Sequence, residues 1–169
     1  MKNQKITLSI LFTILIFSGM VGAQTAKVDA TDLNRLTGAE WKGTLTYLDY
    51  SSNKKTSIAS NLTVIETPGD HLSWTFDFKY PDEPKADKRS TVTLSPDGRT
   101  FDGETVIEKT YLSRESLKIV TTQRGTDNDK KAVFRYTYLF APASLSIKKE
   151  VRLETATEYF ERNEYSWKR

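Results

Sequence analysis

Residues 72–80 constrain the chain most, because Leu72, Trp74, Phe76, Phe78 and Tyr80 alternate with Ser73, Thr75, Asp77 and Lys79. An α-helix would scatter those large side chains around its axis, whereas a strand places them all on one face. So apolar a strand face has to be covered by a second layer or by closure of the sheet on itself. Residues 132–141 repeat the pattern, with Phe134, Tyr136, Tyr138 and Phe140 sharing one side. The rest of the chain therefore has to supply further strands.

It does so at short intervals. Residues 36–53 open with a glycine-flanked tryptophan (Gly38, Trp41, Gly43) and run as a strand into the polar turn Ser51-Ser52-Asn53-Lys54. Trp41, Gly43, Leu45, Tyr47 and Asp49 form its expected buried face. A second strand over 56–66 ends at Thr67-Pro68-Gly69-Asp70, whose Pro-Gly pair marks a tight turn. Residues 81–88 form a charged loop with two prolines, a candidate mobile rim. A short strand over 90–95 meets the hairpin turn Pro96-Asp97-Gly98-Arg99. Residues 101–112 read as one or two strands with Gly103 as a candidate bulge, and 117–123 as another, followed by a polar hairpin tip over 124–131. Strands over 145–154 and 159–168 complete the chain. All five prolines fall in the turns, as they must if the strands are to keep their ladder hydrogen bonds. Ahead of the first strand, Asp29 or Thr31 can cap one or two helical turns through Leu36. The fold class is all-β: an up-and-down antiparallel barrel of roughly eight to ten strands with a short N-terminal helical turn.

The N-terminus has a different character. Lys2 and Lys5 precede an apolar run over 6–17, and small residues up to Ala23 suit cleavage there. That is the pattern of a secretory leader, shorter than the ~20 apolar residues of a membrane span. We expect a leader over 1–23, a single domain over 24–169 and a secreted or periplasmic product. The whole chain carries 25 Lys+Arg against 22 Asp+Glu, and without the two leader lysines the count is 23 against 22. So small an excess gives no reason to expect nucleic acid or an anionic membrane as partner. The chain has no Cys, so hydrophobic burial rather than disulfides has to hold it together.

The Trp near the start of the first strand, the short helical segment before it and the up-and-down strand series resemble the calycin superfamily, in particular secreted lipocalin-like proteins. Gly38-Ala39-Glu40-Trp41 is one residue longer than the lipocalin Gly-x-Trp, and neither the lipocalin C-terminal helix nor a two-helix lid is present in the sequence. The resemblance implies an interior binding site for a small apolar or amphipathic molecule.

Candidate residues for that site are Trp74, Phe76, Phe78, Tyr136 and Tyr138, as the wall of an apolar chamber. Lys149 sits on the otherwise apolar face of Leu145, Ile147, Val151 and Leu153, and Arg162 shares a face with Phe160 and Glu164. A charge inside a barrel is costly unless paired, so Lys149 and Arg162 are candidates to meet an anionic head group. The alternatives are that Lys149 lies at a strand bend or rim, and that Arg162 pairs with Glu150 or Glu164 or covers Trp41 by a cation–π contact. Tyr165, Trp167 and Arg169 form the other face of the last strand, a candidate partner surface or a layer packed on the N-terminal helix. A filled barrel serving as a protein-interaction or inhibitor module is the alternative function. Catalytic readings have little support: His71 is the only His and alternates onto a polar face, which leaves no Ser-His-acid or His-rich zinc arrangement. No cofactor is expected.

Overall fold

The structure, a computed structural model, describes residues 26–169. The expected leader, residues 1–23, lies outside the described residues. A short helix α1 (Ala30–Asn34) precedes ten strands: β1 (Glu40–Asp49), β2 (Lys54–Thr67), β3 (Asp70–Lys79), β4 (Lys88–Thr93), β5 (Thr100–Phe101), β6 (Glu104–Tyr111), β7 (Leu117–Asp127), β8 (Lys130–Ala141), β9 (Ser144–Leu153) and β10 (Phe160–Lys168). They lie in the order β4-β3-β2-β1-β10-β9-β8-β7-β6-β5. An antiparallel bridge between Leu94 and Phe101 joins the two ends of that order, supported by Asp102 N–H donating to the Thr93 carbonyl at 2.7 Å. Every strand thus lies beside its sequence neighbours and β1 pairs with β10, which is an up-and-down antiparallel barrel. Ten strands exceed the eight of lipocalins, so the lipocalin expectation within that resemblance is corrected.

Closure is uneven. Strand β5 has two residues, and Asp102 and Gly103, at φ 52° and 78°, turn the chain straight into β6. Gly103 therefore makes a hairpin turn rather than the expected bulge. Because β5 is so short, the Lys88–Val92 stretch of β4 has a strand partner only on β3. The wall is notched between β4 and the β5–β6 turn. The opposite hairpin, β7–β8, runs longer than expected. Residues 124–127 belong to β7, and the turn is confined to Asn128 and Asp129, at φ 45° and 62°.

Helix α1 plugs the other end. Val28, Leu33 and Leu36 are buried in the main core with Trp41, Trp74 and Trp167. Trp41 Nε1–H donates to the Leu36 carbonyl at 2.9 Å, and the Arg169 guanidinium lies 4.5 Å from the centre of the Trp41 ring. The cation over Trp41 is therefore Arg169 and not Arg162. Asp29 caps the helix, its N–H donating to Asp32 Oδ2 at 2.8 Å. Asp32 is 2% exposed, with Lys109 Nζ at 2.6 Å and the Tyr111 hydroxyl at 2.7 Å. A buried carboxylate is tolerable here because its charge is paired and its lone pairs are occupied.

Two bulges decide which side chains face inward. In β6 the register with β7 slips between Val106 and Glu108, so Ile107 is left outside, 53% exposed. Lys109, opposite the buried Ile119, is thereby brought to Asp32. In β10 the register with β9 slips between Glu161 and Asn163, with Arg162 as the extra residue. A bulge reverses the alternation beyond it, so Asn163, Tyr165 and Trp167 turn inward. Of the two readings of the Tyr165, Trp167 and Arg169 face, a layer packed with the N-terminal helix describes Trp167, which is 1% exposed and shares a core with Leu33 and Leu36.

Candidate ligand chamber

The notch opens into a chamber of about 290 Å³, close to the lower bound of the ~300–1,000 Å³ range of ligand sites. Phe76 and Phe78 on β3 form one wall, and Tyr136 and Tyr138 on β8 with Ile147 on β9 form the facing wall. Asn163 and Tyr165 on β10 lie between them, while Lys88, Ser90 and Asp102 edge the notch. Phe101 and Glu104, the strand pair that flanks the β5–β6 turn, complete the lining.

The aromatic wall is internally braced. Phe78 and Tyr165 have ring centres 5.4 Å apart, and Phe101 meets Tyr138 edge-on at 5.1 Å. Tyr165 stacks on Trp167 at 4.9 Å, and its hydroxyl is 2.8 Å from that of Tyr80. Such contacts fix ring orientation beyond what area burial alone provides.

The main polar feature is Glu104, 5% exposed. Tyr138 Oη donates to its Oε2 at 3.1 Å, and Thr121 Oγ1 donates to the same oxygen. Burial pushes the carboxyl up to about 7, against the pull of those two donors, with the Asp102 charge adding to the rise and Lys149 opposing it. Burial likewise raises the Tyr136 and Tyr138 hydroxyls above the ordinary tyrosine range, reinforced by the negative charge of Glu104.

The residues expected from sequence separate into three groups. Phe76, Phe78, Tyr136 and Tyr138 come together around the chamber. Trp74 does not: it is fully buried in the main core, and its Nε1–H has no acceptor among the described residues. Lys149 and Arg162 sit beyond the chamber, nearer the β7–β8 tip. The Lys149 ammonium lies 3.9 Å from the Phe134 ring centre, and burial, with Arg162 as a nearby like charge, lowers its pKa although the acids Asp127 and Glu104 favour the charge. Arg162 donates to the Leu48 carbonyl, has Asp127 Oδ1 at 3.8 Å and covers the Tyr50 ring at 4.2 Å. It fastens β1 to the β7–β8 turn. Asp127, expected as part of a solvated turn, is instead held by Arg162 and by the Tyr50 hydroxyl.

Glu104 and Asp102 escaped the sequence reading. The available signal was that Glu104 shares strand parity with Val106, which marks an acid on an inward face. His71 is exposed, as its strand position implies, and pairs with Glu66 at 2.6 Å. Among the described residues no cluster of His, Cys, Asp or Glu could hold a metal ion, and no helix is long and apolar enough to cross a membrane.

No family model matches this chain, and no curated protein matches it. Among solved structures, a point variant of the fluorescent protein UnaG is similar over 81% of this chain and 97% of its own, at 12% identity and a TM-score of 0.40. At that level the fold assignment rests on the strand order and closure of this chain itself.

Proposed function

We propose that this chain is an exported binding protein that holds a small apolar or amphipathic molecule inside its barrel. The observation that carries the reading is the aromatic-lined chamber of about 290 Å³ opening at the β4–β5 notch. A barrel built only as a scaffold can be filled wholly by side chains. Here the rings of β3 and β8 form facing walls that leave a chamber between them. A few convergent polar groups on a mostly apolar wall is the usual composition of small-molecule sites. Export rests on the leader pattern over 1–23.

Native mass spectrometry of protein recovered from outside the cytoplasm tests both parts. The reading expects a chain beginning at Gln24 and a reproducible added mass that solvent extraction removes. A bare chain that stays bare after incubation with lipid extracts and aromatic probes would overturn the binding reading. An intact Met1 start would overturn export.

A further inference from the structure

The chamber's own chemistry narrows the class of ligand, on the premise that it is a binding site as proposed above. Glu104 is more than nine-tenths buried, and both its protein donors, Tyr138 and Thr121, arrive at Oε2. Oε1 receives no hydrogen bond among the described residues, although Glu104 lines the chamber. The charged and titratable groups around this carboxyl are Asp102 on the preceding turn, Tyr136 and Tyr138 on β8, Lys149 on β9 and, at the notch, Lys88 on β4. Lys88 offsets Asp102 electrostatically at the mouth. Lys149 rests over the Phe134 ring and is not part of the chamber lining. Glu104 is therefore an acid of the chamber lining that, among the described residues, has no ion-pair partner in contact, Lys149 acting on it only at a distance.

We propose that the chamber selects a molecule carrying a protonated amine on an aromatic or apolar body, with the ammonium donating to Glu104 Oε1 and packed among Phe101, Tyr136 and Tyr138. A buried acceptor with a free lone pair favours a cationic donor. Electron-rich ring faces stabilise the same cation. An anionic head would instead meet the like charges of Glu104 and Asp102. This reverses the head-group preference expected from Lys149 and Arg162 in the sequence.

The test is calorimetric titration of the full-length mature chain at pH 8 with three probes sharing one body: naphthylmethylamine, naphthylmethanol and naphthoate. The amine is expected to bind at least about tenfold more tightly than the alcohol, in line with a charge-assisted hydrogen bond, and naphthoate more weakly than either. Glu104→Gln keeps an acceptor for Tyr138 and Thr121, and is expected to abolish the amine's advantage over the alcohol. Asp102→Asn is expected to retain most of that advantage. Equal binding of amine and alcohol, or an amine advantage that survives Glu104→Gln, would overturn the inference while leaving the barrel a carrier. Tightest binding of naphthoate would overturn it in favour of an anion site. Failure of all three probes would overturn it together with the binding reading.

Discussion

Tyr138 donates its hydroxyl proton to Glu104 Oε2 at 3.1 Å inside the barrel, joining β8 to β6 across β7. The carboxyl it meets is buried and raised to about 7 from an ordinary 4.5. An acid raised in the folded state holds its proton there after the unfolded chain has lost it, so stability falls as pH rises between those values. The contribution from Glu104 alone is on the order of 3 kcal/mol between pH 4.5 and 8. Urea unfolding across that range should show this decline, and Glu104→Gln should flatten it. An unchanged slope in the variant would remove Glu104 as its source.

Tyr138→Phe keeps the ring packing on Phe101 and Phe140 and removes one of the two donors to Glu104. The loss of a hydrogen bond to a buried carboxylate costs about 1–3 kcal/mol. The cost should be larger at pH 8, where the carboxylate is ionised, than at pH 5, where it is protonated. Equal destabilisation at both values would count against a charged acceptor.

At the plugged end, Asp32 is opposed by burial but held below the usual carboxylate range by hydrogen bonds from Lys109, the Asp29 N–H and Tyr111. Its stabilisation is present above the unfolded carboxylate pKa and is lost as pH falls through the lower folded value. Asp32→Ala leaves Lys109, whose side chain is only 12% exposed, with Asp29 as its remaining acid partner at 2.7 Å, and should cost about 1–3 kcal/mol for the buried hydrogen bonds lost. Hydrogen exchange should show α1 detaching in this variant. Retained protection at Leu33 and Leu36 would mean that apolar packing alone holds the helix.

Gly43 faces β10 so closely that an added Cβ would lie 1.9 Å from the Ser166 carbonyl oxygen. Backbone cannot yield there as a flexible side chain would. Gly43→Ala should therefore separate β1 from β10 locally and cost about 1–3 kcal/mol or more. A melting temperature within error of the parent would refute that close approach.

The alternating aromatics of β3 and β8 were legible in the sequence because a period of two over a full strand has no competing explanation. The closed, all-β architecture followed from them and from the turn residues. The head-group chemistry was not legible, because it depends on two bulges that no residue type announces. Counting parity through β10 puts Arg162 inward with Phe160 and Trp167 outward. The slip at Arg162 reverses that beyond it, bringing Tyr165 into the chamber and leaving Arg162 to Asp127 and Leu48. The slip at Ile107 similarly takes Lys109 to Asp32. Glu104 was missed because the turn at Asp102 and Gly103 starts β6 at that residue and the slip at Ile107 breaks the alternation just after Val106, leaving a single inward neighbour to mark its face.

A ligand bound in the aromatic chamber lies against tyrosine rings. Tyrosine-labelled NMR reads that placement, since the eight tyrosines are distributed between chamber, rim and outer surface. Titration with the neutral probe naphthylmethanol should shift the ring signals of Tyr136, Tyr138 and Tyr165 and leave Tyr50, Tyr111 and Tyr159 in place. Saturable shifts at Tyr111 or Tyr159 with the chamber tyrosines unmoved would contradict it.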